Sequence, residues 1–219
     1  MIVLNFALVA LAGYVMGSIP TSIWLGKLCY KIDIRRHGSG NAGGTNVFRV
    51  LGWKPALVVI LVDVGKGLVP TLYFAQWRLV ETAPDHTYFQ LAAGFAAICG
   101  HVWTLFAGFR GGKGVGTAAG VLIVLYPLAL PLCLLVFIVT VALTRYVGLA
   151  SILATVTLPM IQLVFMLLSY RTVARPLLVL SILLVPFILF THRSNIARMM
   201  AGTEHKISFK AKQSETEAS

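Results

Sequence analysis

Long apolar stretches separated by short polar gaps make up most of this chain. The first 26 residues carry no charged side chain, and later apolar segments cover residues 53–76, 88–106, 115–144, 147–169 and 176–191. A helix needs about 20 apolar residues to cross a bilayer, and most of these segments approach or exceed that length. The pattern therefore predicts an all-α integral membrane protein.

The segment at residues 115–144 is too long for a single span. It contains 30 residues, and Pro127 and Pro131 lie near its centre. Because proline disrupts the interior of a helix, two short helices joined by a tight turn fit this segment better. Dividing the segment in this way gives seven transmembrane helices.

The basic residues indicate the orientation of these helices. With the N-terminus outside and the C-terminus in the cytoplasm, 14 of the 18 Lys and Arg residues fall on the cytoplasmic side. This asymmetry favours seven spans over six, which would place the basic tail outside. The first apolar run has no basic residue before it, so we interpret it as an uncleaved span. We expect one domain over residues 1–219, with residues 207–219 as a cytoplasmic tail.

The composition agrees with a membrane protein and excludes some partners. Of the 219 residues, 58% are hydrophobic and 11% are charged, and the net charge is +11. A nucleic-acid partner is not expected, because the cations lie in short gaps between apolar stretches. The three cysteines are scattered singly, so the sequence predicts no disulfide framework and no metal site.

Three polar, glycine-rich segments share the cytoplasmic face in this topology: residues 37–49, 100–114 and 191–204. The first contains four glycines among Ser, Asn and Thr and ends at Arg49, a composition suited to an anion; a flexible polar loop remains the alternative. It matches GxGxxG only formally, since no strand precedes it. The second surrounds Lys113 with glycines before a helix start. It is not a Walker A loop, because Gly114 follows the lysine; cations that only anchor the topology remain possible.

The third segment places His192 and Asn195 three residues apart, on one face if the segment is helical. A frayed helix end is the alternative interpretation.

Asp63 and Lys66 lie inside the second apolar segment with the same spacing, and we expect them to neutralise one another. His101 lies at a helix–loop boundary, either as a hydrogen-bonded structural residue or as a catalytic base. Basic, glycine-rich segments beside membrane helices indicate an anionic, phosphate-bearing substrate and a reaction in which a lipid also takes part.

These segments resemble the bacterial acyl-phosphate:glycerol-3-phosphate acyltransferases. The resemblance is carried by GSIP (17–20), GSGNAGGTNVFR (38–49), DVGKG (63–67), GHVWTLFAGFRGGKGVGTAAG (100–120), NIAR (195–198) and GTEHKI (202–207). It implies acyl transfer from acyl phosphate to the 1-hydroxyl of glycerol 3-phosphate, giving lysophosphatidic acid at the cytoplasmic side of a bacterial inner membrane. No cofactor is implied. The partners are the two substrates and the lipid bilayer, and the oligomeric state is not specified.

The resemblance also implies the site residues. We assign catalytic roles to Ser39, Arg49, Lys113, His192 and Asn195. We assign substrate or phosphate binding to Gly40, Asn41, Thr45, Asn46, His101, Gly111, Gly112, Gly114 and Glu204. Several of these, including Asn46 and the glycines beside Lys113, are expected to shape the loops.

The sequence leaves open which group accepts the proton from the attacking hydroxyl. No HxxxxD dyad and no GxSxG elbow occurs in the sequence. Acyl phosphate is already activated, and its leaving phosphate can accept the proton, so we favour a substrate-assisted reaction over His192 or His101 as the base. An anion transporter is the main rival, although the polar motifs cluster on one face. A CDP-alcohol phosphotransferase would need an aspartate-rich metal motif, which three aspartates at Asp33, Asp63 and Asp85 cannot supply.

Overall fold

The computed structural model describes residues 1–77, 85–168 and 174–208, and within them every regular element is helical. The α-helices are α1 (Ile2–Gly17), α2 (Thr21–Tyr30), α3 (Gly44–Leu51), α4 (Trp53–Leu72), α5 (His86–Val102), α6 (Val115–Leu125), α7 (Ala129–Thr144), α8 (Val147–Leu167), α9 (Arg175–Thr191) and α10 (Arg193–Met200). Short 3-10 turns occur at Ile34–Arg36, Phe74–Gln76 and Leu105–Ala107. The all-α prediction is confirmed for the described part of the chain. Arg78, Arg171 and residues 209–219 of the expected tail lie outside it.

Several helical segments are long and apolar enough to cross a membrane. Those found among the described residues are Ile2–Tyr30, Trp53–Gln76, His86–Ala107 and Val147–Leu167, and α9 with α10, bent by 59°, would make a fifth. The division of the long fourth segment is confirmed, because α6 ends at Leu125 and α7 begins at Ala129. These two helices have 11 and 16 residues, or about 17 and 24 Å, which is less than the ~30 Å hydrocarbon core. The protein is therefore a multi-pass membrane protein, and the count of seven spans stays a prediction.

The first apolar run, predicted as one span, contains two helices separated by a short break. Helix α1 ends at Gly17, and α2 begins only at Thr21, after Ser18, Ile19 and Pro20. Proline has no amide hydrogen and cannot continue the hydrogen-bond ladder of the preceding helix. The break leaves the Ile19 carbonyl in the interior, where it accepts a hydrogen bond from the Lys66 ammonium at 2.7 Å.

Small residues bring the helices into backbone contact. A β-carbon at Gly17 in α1 would overlap the carbonyl oxygen of Ala97 in α5, and one at Gly67 in α4 would overlap that of Thr117 in α6. In a membrane, where apolar surface gains little from leaving lipid, such close packing is a principal source of helix association. These contacts fix α1 against α5 and α4 against α6.

The chain therefore depends on the absence of a side chain at Gly67. We expect Gly67→Ala to destabilise the fold by about 1–3 kcal/mol, as overpacking does, because its methyl group meets backbone rather than a movable side chain. Thermal unfolding in detergent measures the change. Gly65→Ala in the same helix is the matched control, since a β-carbon there meets nothing within 4 Å. Equal destabilisation by both variants would contradict the packing argument.

Candidate active site

Polar residues from three distant chain segments meet where α4, α6 and α8 begin and α5 and α9 end. The Arg49 guanidinium donates to the His205 carbonyl at 3.0 Å. The Lys113 ammonium donates to the side-chain oxygen of Asn195, and the Thr191 hydroxyl donates to the Lys113 carbonyl at 3.2 Å. The three segments that the sequence placed on one face thus contact one another.

The first glycine-rich segment is organised from within by Asn46. This residue is fully buried. Its side-chain oxygen accepts from the Ser39 amide at 2.8 Å, and its nitrogen donates to the carbonyls of Ile34 at 3.1 Å and His37 at 3.0 Å. Both of its N–H donors are used by the protein. Asn46 is therefore placed to shape the loop, as expected for it, and its assignment to substrate binding stays a prediction.

Arg49 lies on α3 one turn after Thr45 and is half-buried. Burial lowers the pKa of its guanidinium, and nearby Glu204 partly opposes that effect. Its Nε atom is buried without a hydrogen-bond partner in the structure. A buried donor that lacks a partner costs free energy, and an anionic oxygen would satisfy it with a charge-assisted bond.

The loop before Lys113 folds back onto the end of α5. The Gly111 amide donates to the Val102 carbonyl and the Gly112 amide donates to the His101 carbonyl, both at 3.0 Å. These two amides are therefore bonded within the protein and are not available to an anion. Gly114, with a φ of +83°, makes the left-handed turn that starts α6. The glycines set the position of the lysine.

The third segment is a bend followed by a short helix. His192 lies between α9 and α10, and its Nδ1 donates to the Ile188 carbonyl at 2.9 Å, which leaves Nε2 as an acceptor when the ring is neutral. The Asn195 amide donates to one Glu204 oxygen at 2.7 Å, and the Arg198 Nε donates to the other at 2.8 Å. Glu204 therefore holds two side chains, a role that suits a carboxylate better than binding phosphate does.

The electrostatics of this cluster favour an anion. Arg49, Lys113 and Arg198 supply three positive charges near the single negative charge of Glu204. Burial, together with nearby Arg198 and Arg49, lowers the pKa of Lys113 to about 8, while Glu204 opposes them. The sequence analysis did not assign Arg198 to the site. The only signal in the sequence for its ion pair with Glu204 is that the two residues belong to the motifs NIAR and GTEHKI.

His101 is not part of this cation cluster. It is buried beside Asp63 and Lys66, whose predicted pairing is confirmed by a 2.6 Å contact between the ammonium and the carboxylate. Its ring lies against Gly112 in the turn before Lys113. Within the described ranges, no group of three or more His, Cys, Asp and Glu residues could hold a metal ion.

An apolar cavity of about 90 Å³ lies between α6, α7, α8 and α9. It extends from Val115, Ser151 and Ile188 to Leu122, Leu158 and Leu184. Val115 follows the Lys113–Gly114 turn directly, and Ile188 supplies the carbonyl that holds His192. The cavity therefore begins beside the cation cluster and continues into the apolar part of the bundle.

Comparison with known proteins places the chain in one family. The family model described as "Glycerol-3-phosphate acyltransferase" matches residues 7–202. A glycerol-3-phosphate acyltransferase of Chlorobaculum tepidum is 44% identical over 227 residues, covering 94% of this chain and 98% of the relative. The one of Chlorobium phaeovibrioides is 45% identical over 221 residues, covering 90% and 94%.

Solved structures agree with these relatives. The crystal structure of PlsY, an integral membrane glycerol 3-phosphate acyltransferase, in its glycerol 3-phosphate form has a TM-score of 0.78 and 32% identity, covering 93% of this chain and 96% of that one. Its lysophosphatidic acid form has a TM-score of 0.75. The fold and these likenesses define a membrane-embedded acyltransferase. The chain belongs to the glycerol-3-phosphate acyltransferase family, in the PlsY branch that its motifs resemble.

The lowered pKa of Lys113 predicts a pH dependence. The ammonium is charged below about pH 8 and neutral above it, whereas a phosphate monoester is already a dianion above about pH 6. We expect kcat/KM for glycerol 3-phosphate, which reports groups of the free enzyme, to fall as the pH rises through about 8. Arg198→Gln removes a cation that lowers the pKa of Lys113 and frees Glu204, so its alkaline limb should move to higher pH. An unchanged alkaline limb in that variant would contradict the assignment of this limb to Lys113.

Proposed function

We propose that this acyltransferase uses acyl phosphate as its donor and makes lysophosphatidic acid. The observation that carries the proposal is the partly buried cluster of Arg49, Lys113 and Arg198 at the end of an apolar cavity. In the reaction, the 1-hydroxyl oxygen of glycerol 3-phosphate bonds to the acyl carbon, and the bond from that carbon to the phosphate oxygen breaks. The products are 1-acyl-glycerol 3-phosphate and inorganic phosphate.

Each charged group has a role in this proposal. Lys113 and Arg49 bind phosphate oxygens, because a partly desolvated cation makes a stronger charge-assisted bond than an exposed one. Asn195, held by Lys113 and Glu204, orients the ammonium. Thr45, one turn before Arg49, and Ser39 offer hydroxyl groups to the second phosphate. Two phosphates, one on each substrate, account for more cations than one anion needs.

The proton of the attacking hydroxyl goes to the leaving phosphate. The donor is already activated, so positioning and charge neutralisation supply the catalysis. His192 is the competing base, since its Nδ1–H bond to Ile188 leaves Nε2 as a proton acceptor. His101 is a weaker candidate, because it lies beside the Asp63–Lys66 pair.

The apolar cavity takes the acyl chain. Its walls are almost entirely aliphatic and aromatic side chains, and its near end adjoins the cation cluster. A donor with a phosphate head and an apolar tail would place its head at the cation cluster and its tail between α6 and α8. The reacting carbonyl would then lie at the junction of the polar and apolar regions.

A direct assay tests the donor. Purified protein in detergent is supplied with labelled glycerol 3-phosphate and, in separate reactions, with acyl phosphate, acyl-CoA or acylated acyl carrier protein. We expect labelled lysophosphatidic acid with acyl phosphate alone. Product formation from acyl-CoA and none from acyl phosphate would overturn the proposed donor.

Charge removal tests the phosphate site. We expect Lys113→Ala and Arg49→Ala each to abolish or nearly abolish transfer in folded protein, since each charge-assisted bond contributes about 1.5–3 kcal/mol before transition-state effects. Lys113→Arg should also lose most activity, because a planar fork does not replace a compact ammonium. Size-exclusion profiles and initial rates are the measurements. Near wild-type rates in both alanine variants would remove this site assignment.

The acidic limb of the pH profile tests the substrate-assisted route. A histidine base must be neutral to accept the proton, so its titration would give an acidic limb in the rate that disappears with the residue. We expect the residual activity of His192→Asn and His101→Gln to keep the wild-type acidic limb. Loss of that limb in one variant, with affinity for glycerol 3-phosphate intact, would identify that histidine as the base.

We also propose that the site faces the cytoplasm of a bacterial inner membrane, with seven spans and the N-terminus outside. The excess of Lys and Arg on the site's side supports this orientation. Single cysteines placed at Asn195 and Leu128 in a cysteine-free background should react from opposite sides. Labelling of position 195 from the periplasm alone would reverse the topology.

A further inference from the structure

Three ionisable side chains meet inside the bundle, away from the cation cluster. Asp63 and Lys66 on α4 and His101 on α5 are each less than 10% exposed. The Lys66 ammonium lies 2.6 Å from the Asp63 carboxylate and 3.4 Å from the His101 Nδ1, which is itself 3.6 Å from the carboxylate. Ions are costly inside a membrane protein unless partnered, and those that occur there commonly have a function. The reaction proposed above uses none of the three chemically.

The ion pair is anchored to a third element. The Lys66 ammonium also donates to the Ile19 carbonyl at 2.7 Å, in the break after α1. The negative end of a helix dipole favours a cation, so the end of α1 adds to the field of Asp63. The ammonium is therefore held by α4, α5 and the break, and its geometry is fixed more tightly than a pair on one helix would be.

His101 connects this pair to the loop that carries Lys113. Its carbonyl accepts from the Gly112 amide at 3.0 Å. Its Nε2 lies so close to Gly112 that a β-carbon there would overlap the ring, and the same β-carbon would lie 2.8 Å from the Ala42 carbonyl oxygen. Gly112 is thus enclosed between the imidazole and the first glycine-rich segment. Lys113 is the next residue.

We propose that Asp63, Lys66 and His101 are positioning residues, which fix Gly112 and through it the Lys113 ammonium that binds phosphate. The inference rests on the proposed role of Lys113. The ion pair orients the imidazole from one side, and the imidazole supports the loop from the other. A buried pair with three anchors resists displacement better than packing alone, because its geometry is set by directional bonds in a low-dielectric interior.

Matched variants separate positioning from simple support of the fold. His101→Phe fills the space of the ring but removes the polar atom that faces the pair, whereas His101→Asn keeps a polar atom near the position of Nδ1. Asp63→Asn combined with Lys66→Met removes both charges together and leaves no unpaired ion. Thr140→Val on α7 is the control, because it removes a buried hydroxyl that bonds only within its own helix.

The readout is the division between KM and kcat in folded protein. We expect His101→Phe and the double variant to raise KM for glycerol 3-phosphate about tenfold, a part of the loss expected from removing a charge-assisted bond altogether. KM for acyl phosphate should change less. His101→Asn, which keeps a polar atom near Nδ1, should raise KM for glycerol 3-phosphate less than His101→Phe does, and Thr140→Val should keep the wild-type KM.

A purely structural role gives a different result. The variants would then lower kcat in proportion to the folded fraction and leave KM unchanged, and that result would overturn the inference. If the double variant does not fold, His101→Phe and His101→Asn still test the inference, because both keep the Asp63–Lys66 ion pair. If Lys113→Ala itself keeps a near wild-type rate, the proposed phosphate site fails first, independently of the positioning residues.

Discussion

The close approach of α4 and α6 is the contact on which the site depends. At Gly67 the backbone of one helix touches the backbone of the other at Thr117, with no side chain between them. Lys113 lies one turn before this contact, at the start of α6, and Asp63 lies one turn before it on α4. Because backbone contact allows little sliding, the lysine is held at a fixed height relative to the buried ion pair. A looser helix pair would leave the ammonium without a defined position.

The charged groups fall into two sets with different surroundings. Asp63 and Lys66 neutralise one another in the interior, where the Lys66 ammonium also contacts His101 and the Ile19 carbonyl after α1. Arg49 and Lys113, by contrast, remain in excess over Glu204 at the edge of the bundle. A neutral interior keeps the fold stable without a ligand, while an unbalanced edge attracts anions. On the proposed function, this separation lets one small protein be both a rigid scaffold and a phosphate site.

The sequence predicted what depends on local pattern. Apolar runs gave the helices, Pro127 placed the turn between α6 and α7, and the three-residue spacing of Asp63 and Lys66 gave their pairing. It did not predict the inward use of the Asn46 side chain, because the carbonyls that accept its bonds are brought near only by the folded loop. The partnership of Glu204 depends likewise on how the chain turns after α10.

One side chain that lines the apolar cavity also lies on the outer surface of the helix bundle. Leu134 lines it and is 46% exposed on the outer surface of the bundle. The outer surface of a membrane-embedded bundle meets the bilayer, so a lipid donor would reach the cavity past this side chain by moving sideways within its leaflet. On the proposed function, the donor pool is then two-dimensional, and the enzyme responds to the mole fraction of donor among the surrounding lipids. Its single-chain product would return to the same leaflet without passing through water.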